Sequence, residues 1–355
     1  MATETIQEII QKLSSCERVV LSTHTRPDGD AIGSQLALGK FLSSKGIQVW
    51  MINSDPMPYN LEWMPGADSI IVYDGSLDQV EALANADAVV VLDTNGVSRL
   101  GQVGELMKSS QGTRILIDHH TDPETWFDLS LRRESASSTG ELLFELMAEW
   151  DLDAIDEDGA VALYVAIMTD TGSFRFSSVT PQLHRHIAQL LEVSTMDSAS
   201  IHSEVFDKKS VEGLRLLSSV LSTVQIHHNG LVGSMVVSKR SLKDSGASVE
   251  ETDGFVNHLL SIEGVNVALM YTETERGTKI SFRSKGNYHV HKWAQSFGGG
   301  GHRNAAGAFV RADLESVIRN SVESATKFIE TNTDGIDGGI SDEDADYLSM
   351  LGVQN

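Results

Sequence analysis

Four short apolar runs, each ending abruptly in Asp or His, constrain this chain more than any other feature. They are VVLSTHTRPDGD, ending at Asp30, AVVVLDTN around Asp93, RILIDHHTD at 114–122, and YVAIMTDTG around Asp170. The 114–117 run looks like the end of a buried strand and leads straight into Asp118-His119-His120. An acid and two imidazoles at the mouth of a sheet are costly unless they bind something. In open α/β sheets, sites form at the carboxyl ends of the strands. Together the four runs supply His24, Asp28, Asp30, Asp93, Asp118, His119, His120 and Asp170.

Each piece alone has an ordinary explanation. His-x-x-x-Asp-x-Asp is commonly a loop with an Asx turn. An Asp after a strand is more often a helix cap than a ligand. The combination, in this order after apolar elements, is far more specific. Four carboxylates at Asp28, Asp30, Asp93 and Asp170 would repel one another if gathered uncompensated, and two divalent cations carry the matching charge. Hard ions prefer carboxylates, and imidazole tilts the choice toward Mn²⁺, Co²⁺ or Zn²⁺. A His/Asp set without Cys fits Mn²⁺ best, with Mg²⁺ and Co²⁺ as alternatives. Such an ion pair suits the cleavage of phosphoesters, because it activates water and clamps phosphoryl oxygens.

The order of elements predicts the scaffold. Residues 4–13 carry apolar positions at helical spacing. Strand-like runs recur at 18–22, 48–53, 69–72, 88–92 and 114–117, with helical candidates between them, including 77–84 and 99–109. Asp28 and Asp30 fall at a helix N-terminus, where negative charge is tolerated. This alternation predicts an α/β, doubly wound, mostly parallel sheet. Helices follow at 138–150, 158–169 and 181–192, the last with Pro181 at its first position. A polar stretch from 194 leads to a helix at 210–222, read as a linker. Asn229-Gly230 then marks a hairpin, opening a smaller α+β unit with strands at 265–272, 278–282 and 307–310 and helices at 290–297 and 313–330. The expected domains are 1–193, a helical linker 194–222, a second domain 223–330 and an acidic tail 331–355, which holds no Lys or Arg and reads as disordered.

Charge is used unevenly. The chain of 355 residues has a formal net charge of -23, which argues against non-specific binding to long duplex nucleic acid. Yet residues 276–311 hold seven Lys or Arg and no Asp or Glu. Within this stretch, Gly299, Gly300 and Gly301 can bring backbone N–H groups against a phosphate. Arg283, Ser284, His302, Arg303 and Asn304 surround them as candidate substrate contacts. Trp293 and Phe297, four apart on a helix, read as core. Cys16 is the only cysteine, and there is neither a signal-peptide pattern nor a long apolar run. A cytoplasmic protein with no membrane partner is expected.

The motifs STHTRPDGD, VLDTN, IDHH and MTDTG resemble those of the DHH phosphoesterase family. SFRSKG at 281–286 and FGGGGHRNAAG at 297–307 resemble the signature of its DHHA1 domain. The pairing is similar to the compact NrnA-type oligoribonucleases, also called pAp phosphatases. The resemblance implies one metal held by His24, Asp28 and Asp93, and a second held by Asp30, Asp93, His119 and Asp170, with Asp93 bridging. It implies that His120 meets the scissile phosphate or the leaving oxygen and that Asp118 orients an imidazole; these two are the catalytic candidates. It further implies very short RNA and 3′-phosphoadenosine 5′-phosphate as substrates, and leaves a homodimer open. Cyclic dinucleotide hydrolysis is the enzymatic alternative. A nucleotide-binding regulator that has lost its chemistry is the other, against which the intact Asp28, Asp30, Asp93, His119 and Asp170 speak.

Overall fold

The computed structural model describes residues 2–301 and 303–333. Contacts within the chain divide it into two units, 1–208 and 209–355. The expected tail lies almost wholly outside the described residues.

The first unit runs α1 (Ala2–Ser14), β1 (Arg18–Ser22), α2 (Gly29–Ser44), β2 (Gln48–Asn53), β3 (Ile70–Val72), α3 (Leu77–Ala84), β4 (Ala88–Leu92), α4 (Gly104–Lys108), β5 (Thr113–Asp118) and β6 (Leu129–Arg132). It ends with α5 (Thr139–Asp151), α6 (Glu157–Asp170), α7 (Pro181–Val193) and α8 (Ser198–Phe206). The six strands lie in the order β3-β2-β1-β4-β5-β6, and every pairing is parallel. This is the doubly wound sheet that the sequence predicts, with one strand more. β6 was not foreseen because LSLR lacks a continuous apolar run: it is an edge strand, and only Leu131 is buried.

β4 explains why its sequence is unbroken Ala-Val-Val-Val-Leu. It lies inside the sheet and all five residues are fully buried, as parallel strands covered on both faces require. One face packs on α1, α2, α5 and α6 through Ile9, Ile32, Phe41, Leu143 and Leu163. The other packs on α4 and the short helical stretch before it through Leu100, Val103 and Met107. Strand order reverses between β1 and β4, so the crevice beyond their carboxyl ends is the switch point at which such sheets bind ligands.

Helix α2 lies against α6 at van der Waals range because position 33 is glycine. A β-carbon there would sit 2.4 Å from the Ala162 carbonyl oxygen. Asp28 caps α2, accepting from the Ala31 N–H, and Asp30 lies in its first turn. Asp170 closes α6.

The second unit contains α9 (Val211–Leu221), β7 (Gln225–His227), β8 (Val232–Val237), α10 (Lys239–Ser245), α11 (Asn257–Leu260), β9 (Val267–Thr274), β10 (Gly277–Ser284), α12 (Val290–Ser296), β11 (Gly300–Gly301), β12 (Ala305–Val310) and α13 (Leu314–Thr333). The segment read as a linker is therefore shared: α8 belongs to the first unit and α9 to the second. The sheet order is β11-β12-β10-β9-β8-β7, antiparallel except between β8 and β9. The β7–β8 hairpin that Asn229-Gly230 marks is present, but its loop spans residues 228–231, with His228, Asn229 and Gly230 all at positive φ. Trp293 is a core residue, stacked on Phe328 at 4.7 Å.

Candidate metal centre

The end of β5, the loops after β1, β4 and β5, the first turn of α2 and the end of α6 deliver the eight sequence-predicted residues of the first unit to one place. His24, Asp28 and Asp93 present ligand atoms within 4.8 Å of one another, as do Asp30, His119 and Asp170, and also Asp93, His119 and His120. Asp93 belongs to both sides. Its Oδ2 lies 3.4 Å from His24 Nε2, while its Oδ1 lies 3.6 Å from His119 Nε2. His119 Nε2 is also 3.2 Å from Asp170 and 3.9 Å from Asp30.

Asp93 holds this position at a conformational expense. Its φ is +57°, in the left-handed region, which non-glycine residues enter rarely and which Asp tolerates better than most. The β4 ladder continues through it, with the Asp93 N–H donating to the Ile117 carbonyl at 3.2 Å. Such outliers concentrate at functional sites.

The histidine tautomers are set by the backbone. Nδ1 of His24 faces the Thr25 carbonyl at 2.9 Å, and Nδ1 of His119 faces the Ala136 carbonyl at 3.3 Å. A carbonyl only accepts, so each Nδ1 carries the proton and each Nε2 lone pair points into the cluster, as metal-ligating imidazoles are held. His120 differs, because its Nδ1 lies 2.6 Å from Asp118 Oδ1. Asn95 Nδ2 donates to the other Asp118 oxygen at 2.9 Å and also to the Thr121 carbonyl.

Electrostatics favour cations here. Burial, and then the charges of Asp30, Asp28, Asp170 and Asp118, push the Asp93 carboxyl well above its ordinary range. Burial also raises Asp30, against the pull of His119 and the backbone N–H groups of Thr139 and Gly140. Burial opposes protonation of His119, but Asp170, Asp30 and Asp118 outweigh it and raise that imidazole. His24 is lowered by burial, with Asp28 opposing. For Asp118, burial works upward, yet the His120 hydrogen bond and the charges of His120 and His119 hold it below the usual range. A buried group of like charges fitted with inward Nε2 atoms and no thiolate matches hard or borderline divalent ions.

Sequence reasoning missed several contributors. Thr139 and Gly140, opening α5, donate their N–H groups to Asp30 at 2.7 and 2.9 Å. Thr139 Oγ1 donates to Asp93 Oδ1 at 3.0 Å. Ser34 reaches Asp30 at 3.2 Å. Ser138 caps α5; the second use of this turn depends on which strands lie beneath it.

In the second unit, Arg283 and Ser284 end β10, and Gly299, Gly300, Gly301, Arg303 and Asn304 lie in and beside the β11–β12 corner. His302 lies outside the described residues. Part of the glycine run has a packing cause: a β-carbon at Gly299 would stand 2.1 Å from the Gly307 carbonyl oxygen. The Asn304 amide donates to Ser284 Oγ and to the Gly286 carbonyl, both at 2.9 Å, and Ser284 Oγ bonds the Tyr288 carbonyl. These two side chains therefore tie down the loop after β10. Arg303 is exposed, and Arg283 donates to the Phe282 carbonyl at 2.9 Å.

Fold and site together define a class: a doubly wound α/β domain whose switch point gathers acidic and histidine side chains able to hold metal ions. The sequence model of the DHH family N-terminal domain matches residues 18–167, and that of the DHHA1 domain matches 229–331. The chain is 32% identical over 311 residues to the bifunctional oligoribonuclease and PAP phosphatase NrnA of Thermus thermophilus, covering 86% of this chain and 88% of that protein. It is 26% identical to the protein of the same name from Bacillus subtilis, over 88% of this chain and 98% of that one. A crystal structure of an exopolyphosphatase-related protein from Bacteroides fragilis superposes with a TM-score of 0.87 at 30% identity, covering 92% of this chain and 98% of that one. The chain belongs to the DHH family, in the form that carries a DHHA1 domain. Among the described residues no helix is long and apolar enough to cross a membrane.

Proposed function

We propose that this chain is a cytoplasmic, Mn²⁺-dependent phosphoesterase that degrades very short oligoribonucleotides to nucleoside 5′-monophosphates and converts 3′-phosphoadenosine 5′-phosphate to AMP. The observation that carries the reading is the place of Asp93, which groups with His24 and Asp28 on one side and with His119 and His120 on the other, His119 in turn grouping with Asp30 and Asp170. Relatives named for both activities over most of their length support it. The two activities need only one chemistry, since each breaks the phosphoester on the 3′-oxygen of a nucleotide bearing a 5′-phosphate.

His24, Asp28 and Asp93 would hold one ion, and Asp30, Asp93, His119 and Asp170 the other. When bound, such ions supply an activated water and neutralise the phosphate. Asp118, by accepting from Nδ1 of His120, fixes that ring so that Nε2 is the atom that meets the scissile phosphate or the departing 3′-oxygen. Arg283, Arg303, His302 and the backbone of Gly299, Gly300 and Gly301 would bind the substrate's terminal phosphate, with Ser284 and Asn304 shaping the loop.

The test is a panel of 5′-phosphorylated di- to decanucleotides, 3′-phosphoadenosine 5′-phosphate, cyclic dinucleotides and pyrophosphate, incubated with the purified protein and Mn²⁺. The expected preference is for the shortest oligonucleotides and the bisphosphate. Turnover of cyclic dinucleotides or pyrophosphate alone would overturn the assignment, and so would activity that survives exhaustive chelation.

A further inference from the structure

One turn of chain, residues 136–140, reaches three of the proposed ligands at once. The Ala136 carbonyl accepts from His119, the Thr139 and Gly140 N–H groups donate to the two oxygens of Asp30, and the Thr139 hydroxyl donates to Asp93. All but the last are backbone contacts that most residue types would provide. The hydroxyl depends on the identity of position 139, which is fully buried.

The turn is also braced from behind. Ser138 Oγ accepts from the Glu141 N–H at 3.1 Å, and Glu141 Oε2 accepts from the Ser137 N–H at 2.6 Å. Arg133 holds Glu141 at 3.3 Å and forks onto both oxygens of Glu145 at 2.8 Å. The hydroxyl is thus presented from a fixed main chain.

We infer that Thr139 is a positioning residue for the metal centre. Its hydroxyl sets the rotation of the Asp93 carboxylate, so that Oδ1 faces His119 and His120 while Oδ2 faces His24. The need is physical: Asp93 sits on a left-handed backbone among like charges, and repulsion would turn its carboxylate away. A buried donor aimed at one oxygen holds that oxygen in place. The inference rests on the two-metal reading above.

Mn²⁺ binding to the chelator-stripped full-length protein tests it, measured by calorimetry and by the electron paramagnetic resonance of free Mn²⁺. Thr139→Val keeps the shape and removes the donor. Its Mn²⁺ dissociation constant should rise about 10–100-fold, the usual effect of losing an outer partner, and Thr139→Ser should return it to within about threefold of wild type. The melting temperature of the metal-free protein, read alongside, separates this from loss of fold, because a purely structural role would shift melting and leave the binding constant of the folded protein unchanged. Wild-type constants in Thr139→Val would overturn the inference. Should that variant not fold, equal constants in Thr139→Ala and Thr139→Ser would do the same. A wild-type chain that takes up no Mn²⁺ overturns the two-metal reading itself, a distinguishable result.

Discussion

His120 Nδ1 lies 2.6 Å from Asp118 Oδ1 and 3.8 Å from Asp93 Oδ1, and the Asp118 contact decides which nitrogen of the ring carries the proton. Asp118 is fully buried, and its carboxylate can only accept.

Asp118→Asn should therefore lower kcat by about 10–100-fold with little change in bound metal. Asn95 is already committed to donate to position 118 and to the Thr121 carbonyl. An asparagine at 118 must offer its oxygen to Asn95, which leaves its NH₂ facing His120 and forces the other tautomer. Steady-state kinetics with elemental analysis checks this; wild-type kcat would remove the orienting role.

Asp93→Asn separates stability from function. The amide tolerates the left-handed backbone and relieves the repulsion from Asp30, Asp28 and Asp170. The metal-free variant should melt above the metal-free wild type. Its activity should fall by more than the roughly 10–100-fold expected for an outer partner, because both ion positions lose a ligand. Melting curves with and without Mn²⁺ would show the wild type gaining stability on metal addition and the variant not.

Arg283→Ala should lower kcat/KM on a 5′-phosphorylated dinucleotide by about ten- to a hundredfold, equivalent to roughly 1.5–3 kcal/mol for a charge-assisted contact. A minimal aryl phosphodiester, which needs only the metal centre, should be hydrolysed almost as before. Parallel losses on both substrates would mean that the second unit helps to build the catalytic site rather than to recognise the nucleotide.

Acid stability should depend on Asp87. The N–H groups of Arg18 and Glu17 donate to its carboxylate, both at 2.8 Å, and hold it below its ordinary range. Between the folded and unfolded pKa values the unfolded chain binds more protons, so stability rises with pH there. The contribution is complete above an unfolded value of about 3.9 and disappears as pH falls through the lower folded value. Asp87→Asn should melt earlier than wild type at neutral pH, and the gap should close in acid. A gap independent of pH would assign the effect to shape rather than charge.

Much of the fold is legible in the sequence for an identifiable reason. Strands buried on both faces, such as β4, must be apolar throughout, and ligands must follow them directly, so strand and motif are read together. Elements stabilised from outside leave weaker marks. β6 borrows its place from β5, and α10 rests on a reciprocal cap between Ser238 and Ser241 rather than on periodicity. The same holds within the site. His24 or Asp93 can be picked out by residue type and position. Asn95, Thr139 and the Ala136 carbonyl cannot, because their roles lie in what they touch across long sequence separations. Ser284 and Asn304 show the converse: polar residues in a basic stretch suggest ligand contacts, while their hydrogen bonds hold a loop.

Gly33 brings α2 against the main chain of α6 at Ala162, and those two helices carry Asp28, Asp30 and Asp170 at their ends. The separation of these acids is thus gauged by backbone against backbone. Side chains hop between rotamers and can widen a cavity to suit its contents; main chain in van der Waals contact cannot. On the two-metal reading, the helix pair would act as a caliper with a fixed jaw, selecting cations by ionic radius as well as by donor preference, and a β-carbon at position 33 would reset the jaw.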